Sequence, residues 1–190
     1  MLLFGHIGIT AGAVRVSDII VSTAGSKGSH PFSWLNRLKS RISQVDYRLV
    51  MLSSLLPDFI DKPVFLLFGG ISISGRGYAH GLLFNLILLI IGLVLTRYGK
   101  FGVLAVSLSS VIHLILDQIW NNPVTLFWPL LGPLSGGETS DWLTRIVYGL
   151  FNSPEVYIPE IIGLVILLLL FFRLVKRKGI SSFIKGGVIT

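Results

Sequence analysis

The sequence predicts an all-α, polytopic membrane helix bundle with about five transmembrane segments, and three observations carry that expectation. Of the 190 residues, 52% are hydrophobic and 13% charged, with a mean hydropathy of +0.79, which is too apolar for an ordinary water-soluble domain. Long apolar runs recur, notably LLFNLILLIIGLVL (82–95) and IIGLVILLLLFFRLV (161–175); with its flanks, each reaches the roughly 20 residues that a spanning helix needs. The basic residues gather at the ends of these runs, so the net charge of +7 reads as membrane topology and not as nucleic-acid binding. Residues 1–190 are expected to form a single integral membrane domain. Because the chain has no cysteine, any metal must be held by His, Asp or Glu.

The elements follow in order. Residues 2–23 are apolar but contain His6, Arg15 and Asp18. They lack the basic leading region of a signal peptide and are expected to be retained as a first helix. Gly5, Gly8 and Gly12 lie near one helical face and permit close contact with another helix. Residues 31–49 place Leu35, Leu38, Ile42, Val45 and Leu49 at spacings of three and four, with Arg37, Lys39 and Arg41 on other faces. That pattern predicts an interfacial amphipathic helix on anionic headgroups. Residues 47–70 are apolar but interrupted by Pro57, Asp58, Asp61, Lys62 and Pro63. They predict a second segment that is a helix broken near Pro57, a feature tolerated at membrane depth where it lines a cavity or is buried in protein. The runs 82–95 and 101–120 supply the third and fourth segments, and 161–175 the fifth. The 121–155 region reads as a loop. Pro123, Pro129 and Pro133 bar a regular helix through its first half, and Phe127 and Trp128 suit the headgroup level.

Basic residues in the 24–48 loop, at Arg97 and Lys100, and at Lys176, Arg177 and Lys178 are expected to face the cytoplasm. Five crossings satisfy all three, with the N-terminus outside and the C-terminus cytoplasmic, in the cell membrane of a prokaryote.

The stretch SSVIHLILDQIW (109–120) then raises the functional question. A charge at mid-membrane costs about 2.5–3.5 kcal/mol on insertion scales, so ionisable groups there point to function. His113 and Asp117 are four apart and share a face; Ser109 and Ser110 extend that face inward, and Asn121 extends it outward. The topology brings His6, His80, His113, Asp117, Asp58 and Asp61 to one depth, where facing one another around a cation removes the cost of lipid exposure. The simpler readings are a hydrogen-bonded packing histidine at His6, a polar clasp between helices at His113 and Asp117, and helix caps at Asp58 and Asp61.

GHIGIT (5–10), LLPDFIDKP (55–63), GRGYAHGLL (75–83) and HLILDQIWNNPVTLFWPL (113–130) together resemble the signature segments of the membrane-bound metal-dependent hydrolase family of the inner-membrane type. The resemblance covers roughly residues 1–130. It implies that His6, Asp58, Asp61, His80, His113 and Asp117 are metal ligands or catalytic groups, with Arg76 as the basic residue of the third block. The chain departs from the family pattern at Gly75, Ala79, Gly81 and Lys62, where many members carry further histidines or hydroxyls. A site with fewer nitrogens suits one metal, or a harder ion.

These groups imply a divalent metal cofactor, zinc or manganese foremost, with magnesium as a further fit. They also imply hydrolysis of an ester or phosphoester. Asp58 or Asp61 would serve as proton acceptor, and Arg76 would bind an anionic substrate group as a planar fork. Expected partners are the lipid bilayer and a lipid-linked or phosphoester substrate, with no nucleic acid. The alternatives are a small ion- or proton-handling transporter, favoured by the broken second segment, and a non-enzymatic scaffold.

Overall fold

The computed structural model describes residues 2–24, 45–68, 75–134 and 142–189, and these are helical with short connections. The expected amphipathic helix at 31–49 lies largely outside the described residues. Among the described residues, two helices are long and apolar enough to cross a membrane: α1 (Leu3–Ala24) and α8 (Pro154–Lys176). Two shorter apolar helices, α4 (Leu82–Thr96) and α5 (Phe101–Leu116), form a hairpin. Gly92 allows that hairpin to close. A Cβ there would stand 2.8 Å from the Ser107 hydroxyl and 3.0 Å from the Leu104 Cα.

The second segment is two helices, α2 (Tyr47–Ser53) and α3 (Leu56–Phe68). Asp46 caps α2 by accepting from the amides of Arg48 and Leu49, and its carboxyl is held below its usual range first by the hydrogen bond from the Arg48 side chain. The interruption at Ser54–Leu55 lies just before Pro57, as the sequence predicts. Pro57 sits in the first turn of α3, where no amide donor is needed, while Pro63 lies inside α3.

α1 and α8 run parallel. The buried Glu160 carboxylate, near the start of α8, accepts from the amides of Leu2 (2.7 Å), Phe4 (2.8 Å) and Gly5 (3.1 Å) at the start of α1. It satisfies donors that a helix start leaves without partners. An anion there is worth up to about 2 kcal/mol where partly buried. One turn further on, Gly8 and Gly163 let the backbones touch, and a Cβ on either would collide with a carbonyl of the other helix. At the far end Ala11, Leu170, Leu174, Tyr47 and Ile189 form a buried cluster.

The 121–155 region, read from sequence as a loop, is more ordered than that. It contains a 3-10 turn ending at Asn121, a four-residue helix α6 (Pro123–Leu126) and an eleven-residue helix α7 (Trp142–Asn152). The prolines that bar a long helix stop at Pro133, and 142–152 carries apolar residues at helical spacing after them. α9 (Ile180–Gly186) then folds the chain back, so that the Gly187 carbonyl accepts from the Tyr47 amide at 2.9 Å. Gly187 has φ 66°, and a Cβ there would strike the Asp46 carboxylate.

α5 is antiparallel to α1, since His113 at its end stacks on His6 near the start of α1. The starts of α1, α3 and α4 and the end of α5 therefore lie together.

Candidate metal centre

Four segments deliver polar groups to that region. α1 supplies His6 in its first turn and α3 supplies Asp58 and Asp61. The turn at Gly75–His80 supplies Arg76 and His80, and the end of α5 supplies His113 and its C-cap Asp117. His6, His80, His113 and Asp61 are fully buried, and Asp117 is 8% exposed. All six residues expected from sequence as ligands are thus brought together, with Arg76 beside them.

Asp61 stands behind His80. It accepts from the amides of Gly77 (2.8 Å), Ala79 (3.0 Å) and His80 (3.1 Å), and from His80 Nδ1 at 2.7 Å. The carboxylate therefore shapes the 3-10 turn Tyr78–His80 and fixes the ring's tautomer with the proton on Nδ1. His113 is fixed in the same way. Its Nδ1 lies 2.7 Å from the Ser54 carbonyl, an acceptor at the break between α2 and α3. The broken segment is thus part of the site.

With both Nδ1 atoms donating, the neutral rings present Nε2 lone pairs. The two Nε2 atoms face each other at 3.2 Å. Asp58 Oδ1 lies 3.7 Å from His80 Nε2 and 3.9 Å from His113 Nε2. Asp117 Oδ2 lies 3.7 and 4.0 Å from the same two atoms. Four acceptor atoms so converged repel one another unless a cation lies among them. Two nitrogen ligands of a tetrahedral zinc, each at about 2.0–2.1 Å, stand roughly 3.3 Å apart, which matches the observed separation.

The ligand atoms sort into two groups that share His113. These are His6, Asp58 and His113, and His80, His113 and Asp117; within each group the atoms lie within 4.8 Å of one another. His6 stacks on His113 with ring centroids 3.9 Å apart and an interplanar angle of 17°. Its Nε2 is 3.2 Å from Asp117 Oδ1 without the alignment of a hydrogen bond, so both of its ring nitrogens are buried and lack a hydrogen-bond partner. Among the described side chains, two cations border the cluster. Arg76 Nε is 2.9 Å from Asp117 Oδ2, and Lys62 Nζ is 2.6 Å from Asp58 Oδ2. Among the described side chains, three carboxylates thus face two cations.

Sequence reasoning missed the scaffold of this site. Asn85, buried in α4, donates to the carbonyls of Ala79 (2.8 Å) and Gly81 (2.9 Å), and accepts from Ser110 at 2.7 Å. It locks the His80 turn to α5, and the signal was one amide inside an otherwise apolar run. Lys62 and the Ser54 carbonyl were missed as well; the latter has no side-chain signature. Ser109 is buried but bonds back to the Ala105 carbonyl. Asn121 stays outside the cluster, exposed and paired with Gln118. Trp128 packs edge-on against Tyr78, with centroids 4.7 Å apart, so the proline-rich segment rests on the turn that carries His80.

No curated protein and no solved structure shows significant similarity to this chain. Residues 1–180 match the family model described as YdjM inner membrane protein, which agrees with the apolar helices and assigns the chain to a membrane. The protein belongs to the YdjM inner membrane protein family.

Proposed function

We propose that this protein is a membrane-embedded, metal-dependent hydrolase that acts on an ester or phosphoester, and that its substrate is lipid-linked. One observation carries the reading. Two imidazoles, each with Nδ1 committed to an acceptor, aim their Nε2 lone pairs at each other at 3.2 Å between two carboxylates. His80, His113 and Asp117 would hold a divalent ion, with His6 stacked beside them. Zinc suits the imidazoles and manganese suits the carboxylates, while magnesium would draw mainly on the carboxylates. When bound, such an ion acidifies a water molecule and polarises the oxygen of the scissile group.

The remaining roles fall to the chain's own residues. Asp61 positions His80, since its oxygens are engaged by three amides and the ring. Asp58 is the better proton acceptor. One of its oxygens faces the histidines, the other is held by Lys62, and its side chain is 13% exposed. Arg76, with its side chain 42% exposed, is placed to bind a phosphate or carboxylate of the substrate in a planar fork. A cluster at the end of apolar helices suits a substrate that is itself held in the bilayer.

The proposed placement takes five crossings. α1, α4 and α8 run one way, and α2–α3 and α5 run the other. The Arg97–Lys100 turn and the end of α8 lie opposite the cluster. By the positive-inside rule the cluster faces outward and the C-terminus inward. Single cysteines at Ser29 and Ser181 should be shielded from an impermeant reagent in intact cells, and one at Ser135 labelled. Labelling of the first two alone would invert the arrangement.

The enzymatic test is release of headgroup from a panel of phospholipids and lipid-linked phosphates in detergent, with zinc, manganese or magnesium supplied. Turnover that disappears with chelator is expected. Stoichiometric metal without turnover across the panel would favour ion handling instead.

A further inference from the structure

The end of the bundle opposite the histidines carries a basic groove. Between α1 and α8 lies an open groove of about 620 Å³. Arg15 on α1 and Arg173, Lys176 and Arg177 around the end of α8 supply its cations; Ile19 and Phe172 are among its apolar walls. The only carboxylate beside these cations among the described residues of α1 is Asp18, bound to Arg15 at 2.8 Å. Among the described residues that line or flank the groove, four cations meet one carboxylate. The apolar walls are not covered by the described protein, since Ile19 is 48% and Phe172 62% exposed. Cations and bare apolar wall thus meet at the level where a spanning helix leaves the hydrocarbon.

We infer that this groove binds an anionic glycerophospholipid, with the phosphate against Arg173, Lys176 and Arg177 and an acyl chain along Ile19 and Phe172. Charge complementarity selects the anion. The exposed apolar walls select an amphiphile over a free phosphate, because a soluble anion would leave them bare. Basic pockets between spanning helices are suited to anionic headgroups, and basic side chains near a membrane surface each strengthen such binding. The same lipid would tie α1 to α8 below their glycine contact. Nothing in this inference uses the metal or its chemistry.

The test uses full-length protein, delipidated in detergent and examined by native mass spectrometry. It is titrated separately with a phosphatidylglycerol, a phosphatidylcholine of the same acyl chains, and glycerol 3-phosphate. Phosphatidylglycerol should bind at least about tenfold more tightly than phosphatidylcholine. Substitution of the two exposed residues, Lys176→Gln with Arg177→Gln, should remove most of that preference, at roughly fivefold per charge. The paired control Arg97→Gln with Lys100→Gln removes two cations from the same end without touching the groove, and should keep it. Should the double variant aggregate, Arg177→Gln alone serves, with a loss of roughly fivefold. Equal binding of the two lipids would overturn the inference. So would an equal loss in the control pair, which would mean diffuse surface charge, or competition by glycerol 3-phosphate at matching concentration, which would mean a free-phosphate site.

Discussion

The two ends of this bundle handle charge in opposite ways. At one end His6, His80, His113 and Asp61 are fully buried, and the ligand atoms of each candidate group lie within 4.8 Å of one another. At the other end Arg15, Arg173, Lys176 and Arg177 border an open groove. The difference lies in what each end can offer a charge in place of water. The histidine end supplies fixed acceptors: the Ser54 carbonyl, the Asp61 carboxylate and the outer carboxylates. The basic end supplies exposure, so long side chains reach the interface while their stems stay in the apolar layer. A buried cluster with surplus acceptors calls for a cation, whereas an exposed cluster with surplus donors calls for anions from outside.

Breaking the buried end should have the larger consequences. His113→Ala removes a ring that belongs to both candidate ligand groups. It should abolish stoichiometric metal and hydrolysis together, as read by elemental analysis and headgroup release. Asp58→Asn should separate the two. Metal should stay while the rate falls roughly 10²–10⁴-fold, the usual contribution of general acid–base catalysis. If the metal leaves with the rate, Asp58 is a ligand. Asp61→Asn should be milder in a different quantity. A carboxylate that orients a ligating histidine typically contributes 10–100-fold in metal affinity, so a competition titration should show a shift of that size with stoichiometry unchanged.

Much of this contrast could be read from the sequence, and what could not has a physical reason. Six histidine and aspartate positions in α1, α3, the His80 turn and α5 stood out because ionisable residues are costly in an apolar run. The break near Pro57 stood out because proline lacks a donor. Their roles did not follow. Asp58 and Asp61 have the same side chain three residues apart, and only the turn at Gly77–His80 separates them, by giving Asp61 three amides to bind. The Ser54 carbonyl is backbone, so nothing in the sequence marks it. Glu160 lies beyond the stretch read as loop, and its partners are amides at the other end of the chain. α7 was hidden because the prolines before it weighed against helix for the whole region.

The pH dependence should also differ between the ends. Metal affinity at the histidine end falls on acidification, because ligating imidazoles must be neutral. At the basic end Asp46 caps α2, and its carboxyl is held below its ordinary value by Arg48. A depressed carboxylate contributes stability that is present above the unfolded value, near 3.9, and lost as pH falls through the folded one. Asp46→Ala should therefore cost about 1 kcal/mol near neutral pH and close to nothing in strong acid. A thermal unfolding series checks this, and an undiminished cost in acid would show that the cap does not act through its charge.

The central claim is that a divalent cation sits between His80 and His113. X-ray absorption at the metal edge of protein purified without chelator tests it most directly. The expected result is about one metal per chain, nitrogen and oxygen neighbours at about 2.0–2.2 Å, imidazole scattering that weakens in His80→Ala, and no sulfur. Metal-free protein that takes up no zinc or manganese on addition would contradict it, and would leave a shared proton as what holds the two Nε2 atoms 3.2 Å apart.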